Sequence, residues 1–198
     1  IYLSRVLSPS DFGLIAMLAI FLAVAQSLID SGFSQALIQK STKVTEEDMS
    51  TVFYINIFVS ILLYLMLYVS APSIASFYNQ PELINLSRAL FIVVITNAIA
   101  IVPRSKLLIE INFKTQSIIN SASMIVSAVV TIYMVGNGFG YWSLIGMNLS
   151  KSLIDCILFM AVSKWYPKWK FSMESFKTLF SFGSKIMLVG LVGSTVQN

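Results

Sequence analysis

Histidine is absent from this 198-residue sequence, cysteine occurs once, and only 11% of the residues carry a charge. The missing imidazole removes the side chain most often used to move protons near neutral pH. The single cysteine, Cys156, cannot form an internal disulfide or a cysteine-cluster zinc site. Charged residues make up about 25% of an ordinary soluble domain. The composition therefore argues against a soluble enzyme, and we expect no metal and no cofactor.

Two long stretches without any charge identify the solvent of this chain. Neither the sequence 49–81 nor the sequence 115–150 contains a single Asp, Glu, Lys or Arg. An uncharged apolar stretch of about 18 residues is already a candidate transmembrane helix. Because lipid cannot satisfy backbone N–H and C=O groups, only helices or closed barrels cross it, and barrel strands alternate over only about 10 residues. The sequence predicts an all-α, multispanning transmembrane helical bundle.

The hydrophobic pattern predicts five full spans joined by short polar segments. Asp30 and Gly32 interrupt the first span, and Pro103 is expected to end the third. No connecting segment is long enough for a catalytic domain, so any function must lie within the bundle or on its faces. The predicted spans cover approximately residues 12–37, 49–78, 83–101, 115–135 and 141–163.

Both ends of the sequence indicate a piece of a longer protein. The chain opens at Ile1 rather than Met, and it stops within an apolar segment that starts near Ile186. We interpret residues 1–171 as an N-terminal transmembrane lobe with a truncated first helix and five full spans. We interpret residues 172–198 as an amphipathic interfacial helix followed by the truncated start of a second lobe.

Lysine and arginine are distributed unequally between alternate loops. Ten of the 13 lie in three segments, only Arg5 and Arg88 lie in the opposite ones, and Lys151 is in mid-span. Basic residues accumulate on the cytoplasmic side of bacterial membrane proteins. The segments 40–48, 104–114 and 164–185 are therefore predicted to be cytoplasmic, and the segments 1–11, 79–88 and 136–140 are predicted to face outward.

Charged side chains inside the spans are the candidate functional residues, because each costs about 2.5–3.5 kcal/mol to insert. Lys151 and Asp155 are four residues apart and share one helix face. They form either a self-neutralising pair that helps the helix to insert, or a polar stripe in which Lys151 offers a positive charge to an anion in a cavity. The order of Lys before Asp is the weaker one for a helical pair, which slightly favours the cavity.

Two further charges leave alternatives open. Arg88, near the outer face, either snorkels to lipid headgroups or points into an outward vestibule. Asp30 either loosens its helix and accepts freed backbone donors, which we favour, or serves as a coupling site for a cation or proton. One amide in each of three spans is expected to hydrogen-bond between helices: Asn56, Asn97 and Asn120. Three aromatic residues are expected to form an interfacial belt: Trp165, Tyr166 and Trp169.

Short motifs along the whole chain match a known family in order. Residues 5–13 (RVLSPSDFG) resemble its RxLxPxDFG entry motif, and residues 30–39 (DSGFSQALIQ) resemble its DxGxxxALIQ motif. Residues 48–53 (DMSTVF) with Asn56 are similar to DxxTVFxxN, and residues 71–81 (APSIASFYNQP) to APxIAxFYxxP. The series continues with Phe113-Lys114, residues 140–144 (GYWSL) and residues 180–184 (FSFGS). The family is that of the bacterial polysaccharide and O-antigen flippases in the multidrug/oligosaccharidyl-lipid/polysaccharide exporter superfamily.

This resemblance implies a fold and a function. Members have two six-helix lobes around a central cavity, and they move undecaprenyl-pyrophosphate-linked oligosaccharides to the outer leaflet by alternating access. The implied partners are the lipid-linked oligosaccharide, membrane lipids and, as candidates, a polysaccharide polymerase and glycosyltransferases, with no nucleic acid and no enzymatic activity. On this interpretation Lys151, Asp155 and Arg88 contribute to the substrate cavity of the cytoplasmic membrane protein.

Two other functions stay open from the residues alone. A cation-coupled multidrug exporter of the same superfamily would use acidic residues in the cavity, with Asp30 as the coupling site. A membrane-embedded polysaccharide polymerase or glycosyltransferase would need a long outward loop or a carboxylate cluster at an interface, and neither feature is found in the sequence.

Overall fold

The computed structural model describes residues 8–29, 33–40 and 44–181, and within them every regular element is a helix. Five stretches are long and apolar enough to cross a membrane. They are Pro9–Lys40, Glu46–Phe77, Leu83–Ile109, Phe113–Gly136 and Trp142–Ser163. The chain is therefore a multi-pass membrane protein, and the predicted all-α bundle is confirmed.

Seven helices with defined ends make up these stretches, and a further helical segment covers residues 173–181. The first stretch holds two of them, and the third is divided at Phe91. In chain order they are α1 (Pro9–Ile29), α2 (Phe33–Lys40), α3 (Glu46–Phe77), α4 (Leu83–Leu90), α5 (Ile92–Ile109), α6 (Phe113–Gly136) and α7 (Trp142–Ser163).

Side chains placed at the helix starts fix several of these boundaries. At α3 the Thr45 side chain accepts from the Asp48 backbone N–H, and the Asp48 carboxylate accepts from the Thr45 N–H, which completes a capping box. Asn112 caps α6 by accepting from the Thr115 N–H at 3.2 Å. These caps satisfy backbone donors that lipid would leave without partners.

Helix α5 occupies the centre of the bundle. It packs against α3 on one side and α7 on the other, while α6 runs along the far side of α7. The Leu83–Ile109 span is accordingly the most deeply buried of the five. Two larger apolar clusters fill the bundle, one near the predicted outer end and one near the predicted cytoplasmic end.

The expectation that the third span ends before Pro103 is wrong. Helix α5 continues through Pro103 to Ile109, so Arg104 lies inside the helix rather than in a charged connector. Proline removes one backbone donor, but membrane helices tolerate this when neighbouring groups bond the freed carbonyls. The carbonyl that loses its helical donor is that of Ile99, and two residues further along the Ser105 hydroxyl donates to the Ile101 carbonyl at 2.9 Å. The connector between α5 and α6 is therefore only residues 110–112.

A tight outward turn joins α6 to α7. Gly138 and Gly140 both have positive φ, at 78° and 52°, a region that residues with a Cβ rarely occupy. Below the turn, Gly146 lets α7 approach α6 closely, because a Cβ there would lie 2.2 Å from the Met134 sulfur. The two helices thus form an antiparallel pair, as the glycine-rich segment predicts.

Candidate functional site

Lys151 and Asp155 form an ion pair in the middle of α7. The Lys151 Nζ lies 2.7 Å from the Asp155 Oδ2. The two side chains differ in burial, since Lys151 is 48% exposed and Asp155 only 4%. The second carboxylate oxygen, Oδ1, is buried and has no hydrogen-bond partner among the residues that the structure describes. The pair is therefore neutralised but incompletely satisfied, and its positive member is open to whatever lies beside the lobe.

A hydrogen-bonded polar network lies next to this pair and joins three helices. The side-chain Nδ2 of Asn97 on α5 donates to the side-chain Oε1 of Gln26 on α1 at 2.8 Å. The Ser152 hydroxyl of α7 donates to the side-chain Oδ1 of Asn97 at 3.2 Å, and it also contacts the Thr96 hydroxyl. Because Ser152 directly follows Lys151, the network fixes the face of α7 that carries the charged pair. The predicted interhelical role of Asn97 is confirmed.

The structure does not place Arg88 beside the Lys151–Asp155 pair. Its guanidinium lies over the Tyr68 ring of α3, 4.3 Å from the ring centroid. Its Nε is buried without a hydrogen-bond partner. The three candidate cavity residues therefore belong to two separate places, one on α7 and one between α4 and α3. Asp30, the candidate coupling residue, lies outside the described residues.

The other two span amides behave differently from Asn97. Asn56 is buried, but its Nδ2 has no partner within the described part of the chain. Asn120 is exposed on α6 and makes no interhelical bond within the described residues, so the packing role expected for it is not found there. The face of α6 that is buried against α7 carries Ser123 and Ser127.

The segment after α7 packs onto the start of α3. One of the three aromatic residues predicted to form an interfacial belt is therefore buried instead. Trp165 is 2% exposed and packs edge-on against Phe53 with ring centroids 5.6 Å apart. It is a core residue of the cytoplasmic cluster, because the chain turns back at Lys164 in a left-handed conformation. Tyr166 and Trp169 are exposed, as an interfacial position requires.

A second ion pair, between Lys40 and Asp48, was not anticipated from the sequence. The Lys40 Nζ lies 2.7 Å from the Asp48 Oδ2, and the Asp48 side chain is 1% exposed. The Asp48 Oδ2 also accepts from the Thr45 backbone N–H at 3.0 Å, while its Oδ1 is buried without a partner among the described residues. The capping box was the available signal, because it places a carboxylate above the helix start where Lys40 can reach it.

Backbone contacts fasten residues 164–172 to the same helix end. The Lys168 N–H donates to the Ser50 hydroxyl and the Ser172 N–H donates to the Thr51 hydroxyl, each at 3.1 Å. Two exposed ion pairs add to these contacts, Lys168 with Glu46 at 3.5 Å and Lys170 with Glu47 at 3.8 Å. The acidic first turn of α3 thus organises the predicted cytoplasmic surface.

The described residues enclose an apolar groove of about 780 Å³. Side chains of α3 and of residues 171–180 form most of its wall, together with Leu28 and Phe33. It contains no charged lining residue and does not reach Lys151. The candidate charged site is therefore an open face of the lobe rather than an enclosed pocket.

One tyrosine at the outward turn between α6 and α7 has a shifted pKa. Burial, followed by the nearby Glu82 carboxylate, raises the pKa of Tyr141 at the outward turn. No group of three or more His, Cys, Asp or Glu side chains that would hold a metal ion occurs in residues 8–29, 33–40 and 44–181. The available chemistry is that of fixed charges and amides.

The sequence profile of a family described as "Polysaccharide biosynthesis protein" matches residues 2–198. The chain belongs to this family. The resemblance seen in the motifs is thereby confirmed. Polysaccharide biosynthesis and transport is the functional setting of the family.

Three curated bacterial proteins are similar to the chain. It is 34% identical to teichuronic acid biosynthesis protein TuaB of Bacillus subtilis over 87% of this chain and 37% of that protein. It is 26% identical to succinoglycan biosynthesis transport protein ExoT of Rhizobium meliloti over 99% of this chain and 38% of that protein. An uncharacterized membrane protein in the cps region of Klebsiella pneumoniae is 27% identical over 92% of this chain and 38% of that protein.

The chain spans somewhat more than a third of the length of these relatives. No solved structure matches it significantly. The family assignment therefore depends on sequence, and the roles of individual residues depend on the geometry described above.

Proposed function

We propose that this chain forms the N-terminal lobe of a transporter that flips an undecaprenyl-pyrophosphate-linked oligosaccharide to the outer leaflet of the cytoplasmic membrane. The observation that supports this most directly is the position of Lys151. A lysine in the middle of a membrane helix needs a partner, a wet cavity or loss of its charge. Asp155 is its partner, yet half of the Lys151 side chain remains exposed, as a residue that also meets an anion requires.

The chemistry of the substrate explains the need for such a residue. A pyrophosphate and a polar glycan cannot enter hydrocarbon without a large desolvation cost. A wet groove lined by basic side chains lowers this cost, while the polyprenyl tail can remain in the bilayer. Lys151, with Arg88 nearer the outer face, supplies positive charge on this lobe.

The domain organisation follows the same proposal. Residues 1–171 form the first lobe, and residues 172–198 contain the interfacial helix and the start of a second lobe. Alternating access requires two lobes that move against each other around one site. We therefore expect residues 1–198 expressed alone to be inactive in a flippase-deficient strain, and restored polysaccharide export by this piece would contradict the two-lobe arrangement.

The test of the proposal uses the full-length protein that contains this lobe. Lys151→Ala should abolish or sharply reduce flipping of lipid-linked glycan while expression stays near normal. Lys151→Arg keeps the charge and should retain more activity than the alanine variant. Normal transport by Lys151→Ala would mean that the pair is structural and that the substrate site lies elsewhere.

A cation-coupled multidrug exporter is the second candidate function, because the buried carboxylate of Asp155 has one oxygen without a partner. Intramembrane carboxylates of this kind often bind coupling cations. Parallel assays of drug efflux and of lipid-linked glycan transport distinguish the two functions. Drug efflux without glycan transport would favour the exporter.

A further inference from the structure

We propose that Arg104 is a phosphate-binding residue at the predicted cytoplasmic end of the α5–α7 contact. This inference builds on the proposed function, in which it provides the first contact for the substrate pyrophosphate in the inner leaflet. The sequence places Arg104 in a connector, but the structure places it within α5, five residues before the helix ends at Ile109. At 1.5 Å per residue this is about 8 Å from the helix end, at the depth where hydrocarbon meets headgroups.

The guanidinium of Arg104 is held in place but has no acceptor among residues 8–29, 33–40 and 44–181. It lies over the ring of Phe159 on α7, 4.9 Å from the ring centroid, and Phe159 is completely buried. The stacking contact stabilises the charge but uses none of the five N–H donors of arginine. The Nε is buried without a hydrogen-bond partner, and no carboxylate in the described part of the chain lies within ion-pair distance of Arg104.

The neighbouring cation is already engaged. Lys106 donates to the Ser163 carbonyl at 2.9 Å and lies 3.9 Å from the Glu110 carboxylate. Arg104, in contrast to Lys106, donates to no group within the described residues. Its planar fork matches two phosphate oxygens at once, whereas a lysine offers only a point charge. A phosphate ester is the ligand that fits this charge, this geometry and this depth.

Arg88, at the other end of the same span, has surroundings similar to those of Arg104. It lies five residues after the start at Leu83, stacks on Tyr68, and also has a buried Nε without a partner. The predicted orientation places it near the outer leaflet. The two arginines thus share residue type and surroundings but differ in the leaflet that they face.

The shared ligand chemistry has two sources, the pyrophosphate of the substrate and the phosphate of a lipid headgroup. The full-length protein is examined by native mass spectrometry with undecaprenyl pyrophosphate as one probe and phosphatidylglycerol as the other. Arg104→Gln should weaken undecaprenyl pyrophosphate binding about tenfold or more, as expected for lost hydrogen bonds to a charged group. Arg104→Lys should give an intermediate loss, and Phe159→Leu should weaken binding less than Arg104→Gln.

Sidedness is measured in inside-out vesicles, where the substrate is supplied to the cytoplasmic leaflet. Arg104→Gln should raise the KM for the lipid-linked glycan about tenfold and change kcat little, while Lys106→Gln, at the neighbouring cation already engaged within the lobe, leaves this KM within about threefold. Unchanged undecaprenyl pyrophosphate binding by a folded Arg104→Gln protein overturns the inference. Loss of phosphatidylglycerol alone overturns the substrate assignment and identifies a headgroup site. Wild-type protein that binds the probe but moves no glycan refutes the proposed function and leaves the phosphate site intact.

Discussion

The two lysine–aspartate pairs of this lobe look alike but differ in how they are supported. Both have an Nζ–Oδ2 distance of 2.7 Å, a buried aspartate and a more exposed lysine. Asp48 stands at a helix start, where its Oδ2 also accepts from the Thr45 backbone N–H and where the helix dipole favours negative charge, although its Oδ1, like that of Asp155, has no partner among the described residues. Asp155 lies within α7 and has Lys151 as its only partner among the described residues.

The difference separates a structural pair from a candidate functional one. Removing Lys40 would leave the Asp48 carboxylate with the Thr45 backbone hydrogen bond and the favourable dipole of the helix start. Removing Lys151 would leave the Asp155 carboxylate buried without any. A protein that needs only structural neutrality has no reason to place such a poorly supported pair in mid-membrane, because each charge there is costly. This contrast is why we assign substrate contact to Lys151 rather than to Lys40.

The first test determines which side of the membrane each end of the lobe faces. Its readout, labelling from one side or the other, is all-or-none. In a Cys156→Ser background, cysteines at Thr42 and Lys168 should react only from the cytoplasm, and a cysteine at Asn137 only from outside, because of the Lys/Arg asymmetry. Membrane-impermeant thiol reagents give the readout in intact and permeabilised cells. Labelling of position 42 or 168 from outside would overturn the predicted orientation and the assignment of the Lys40–Asp48 pair to the cytoplasmic end.

The second test removes the members of the α7 pair one at a time. Lys151→Ala should cost about 1–3 kcal/mol of stability, because it leaves a buried charge unpaired. Asp155→Asn should cost less, because Lys151 can still reach solvent. The double variant should recover most of the stability but not the transport. Thermal unfolding in detergent and glycan transport are measured together, and a double variant that also recovers transport would show that the pair is structural only.

The third test concerns the cytoplasmic pair. Asp48→Ala should cost about 0.5–2 kcal/mol, the range for loss of a helix cap, and it should loosen the contact with residues 172–181. The matched control is Glu47→Gln, whose exposed pair with Lys170 is expected to contribute about 0–1 kcal/mol. Thermal unfolding and proteolysis at residues 164–172 provide the measurements. Equal effects of both changes would remove the distinction between the buried and the exposed acid.

The smallest expected effect concerns the amide network beside Lys151. Asn97→Ala should cost about 0.6 kcal/mol, with an upper value of about 1.7 kcal/mol known for interhelical hydrogen bonds in membranes. Asn120→Ala should have no measurable effect, because Asn120 is exposed and unpaired in the described chain. Thermal unfolding of both variants checks this. A larger loss for Asn120→Ala would contradict the arrangement of α6 described here.

Several residues show why part of the site was not predictable. The sequence indicates that Lys151 and Asp155 share a face, because helical spacing alone determines that. It cannot indicate that Asp155 is buried and Lys151 half exposed, because burial depends on which neighbours pack against α7. Pro103 suggests a helix end by its local chemistry, yet tertiary contacts carry α5 further and bring Arg104 into the bundle. Tryptophan is a residue type favoured at the membrane–water interface. The chain reversal at Lys164 nevertheless packs Trp165 against Phe53 in the core.

The sequence by itself determined the spans, the helical class, the predicted orientation and the family of this protein. These features depend on local or additive quantities: apolar length, backbone hydrogen bonding, loop charge and short motifs. Only the tertiary structure decided which polar groups have partners, because that depends on distances between helices far apart in sequence. In the structure, hydrogen bonds connect Gln26, Asn97 and Ser152. Arg88 stacks on Tyr68 away from Lys151, and Arg104 stacks on Phe159 with no acceptor among the described residues.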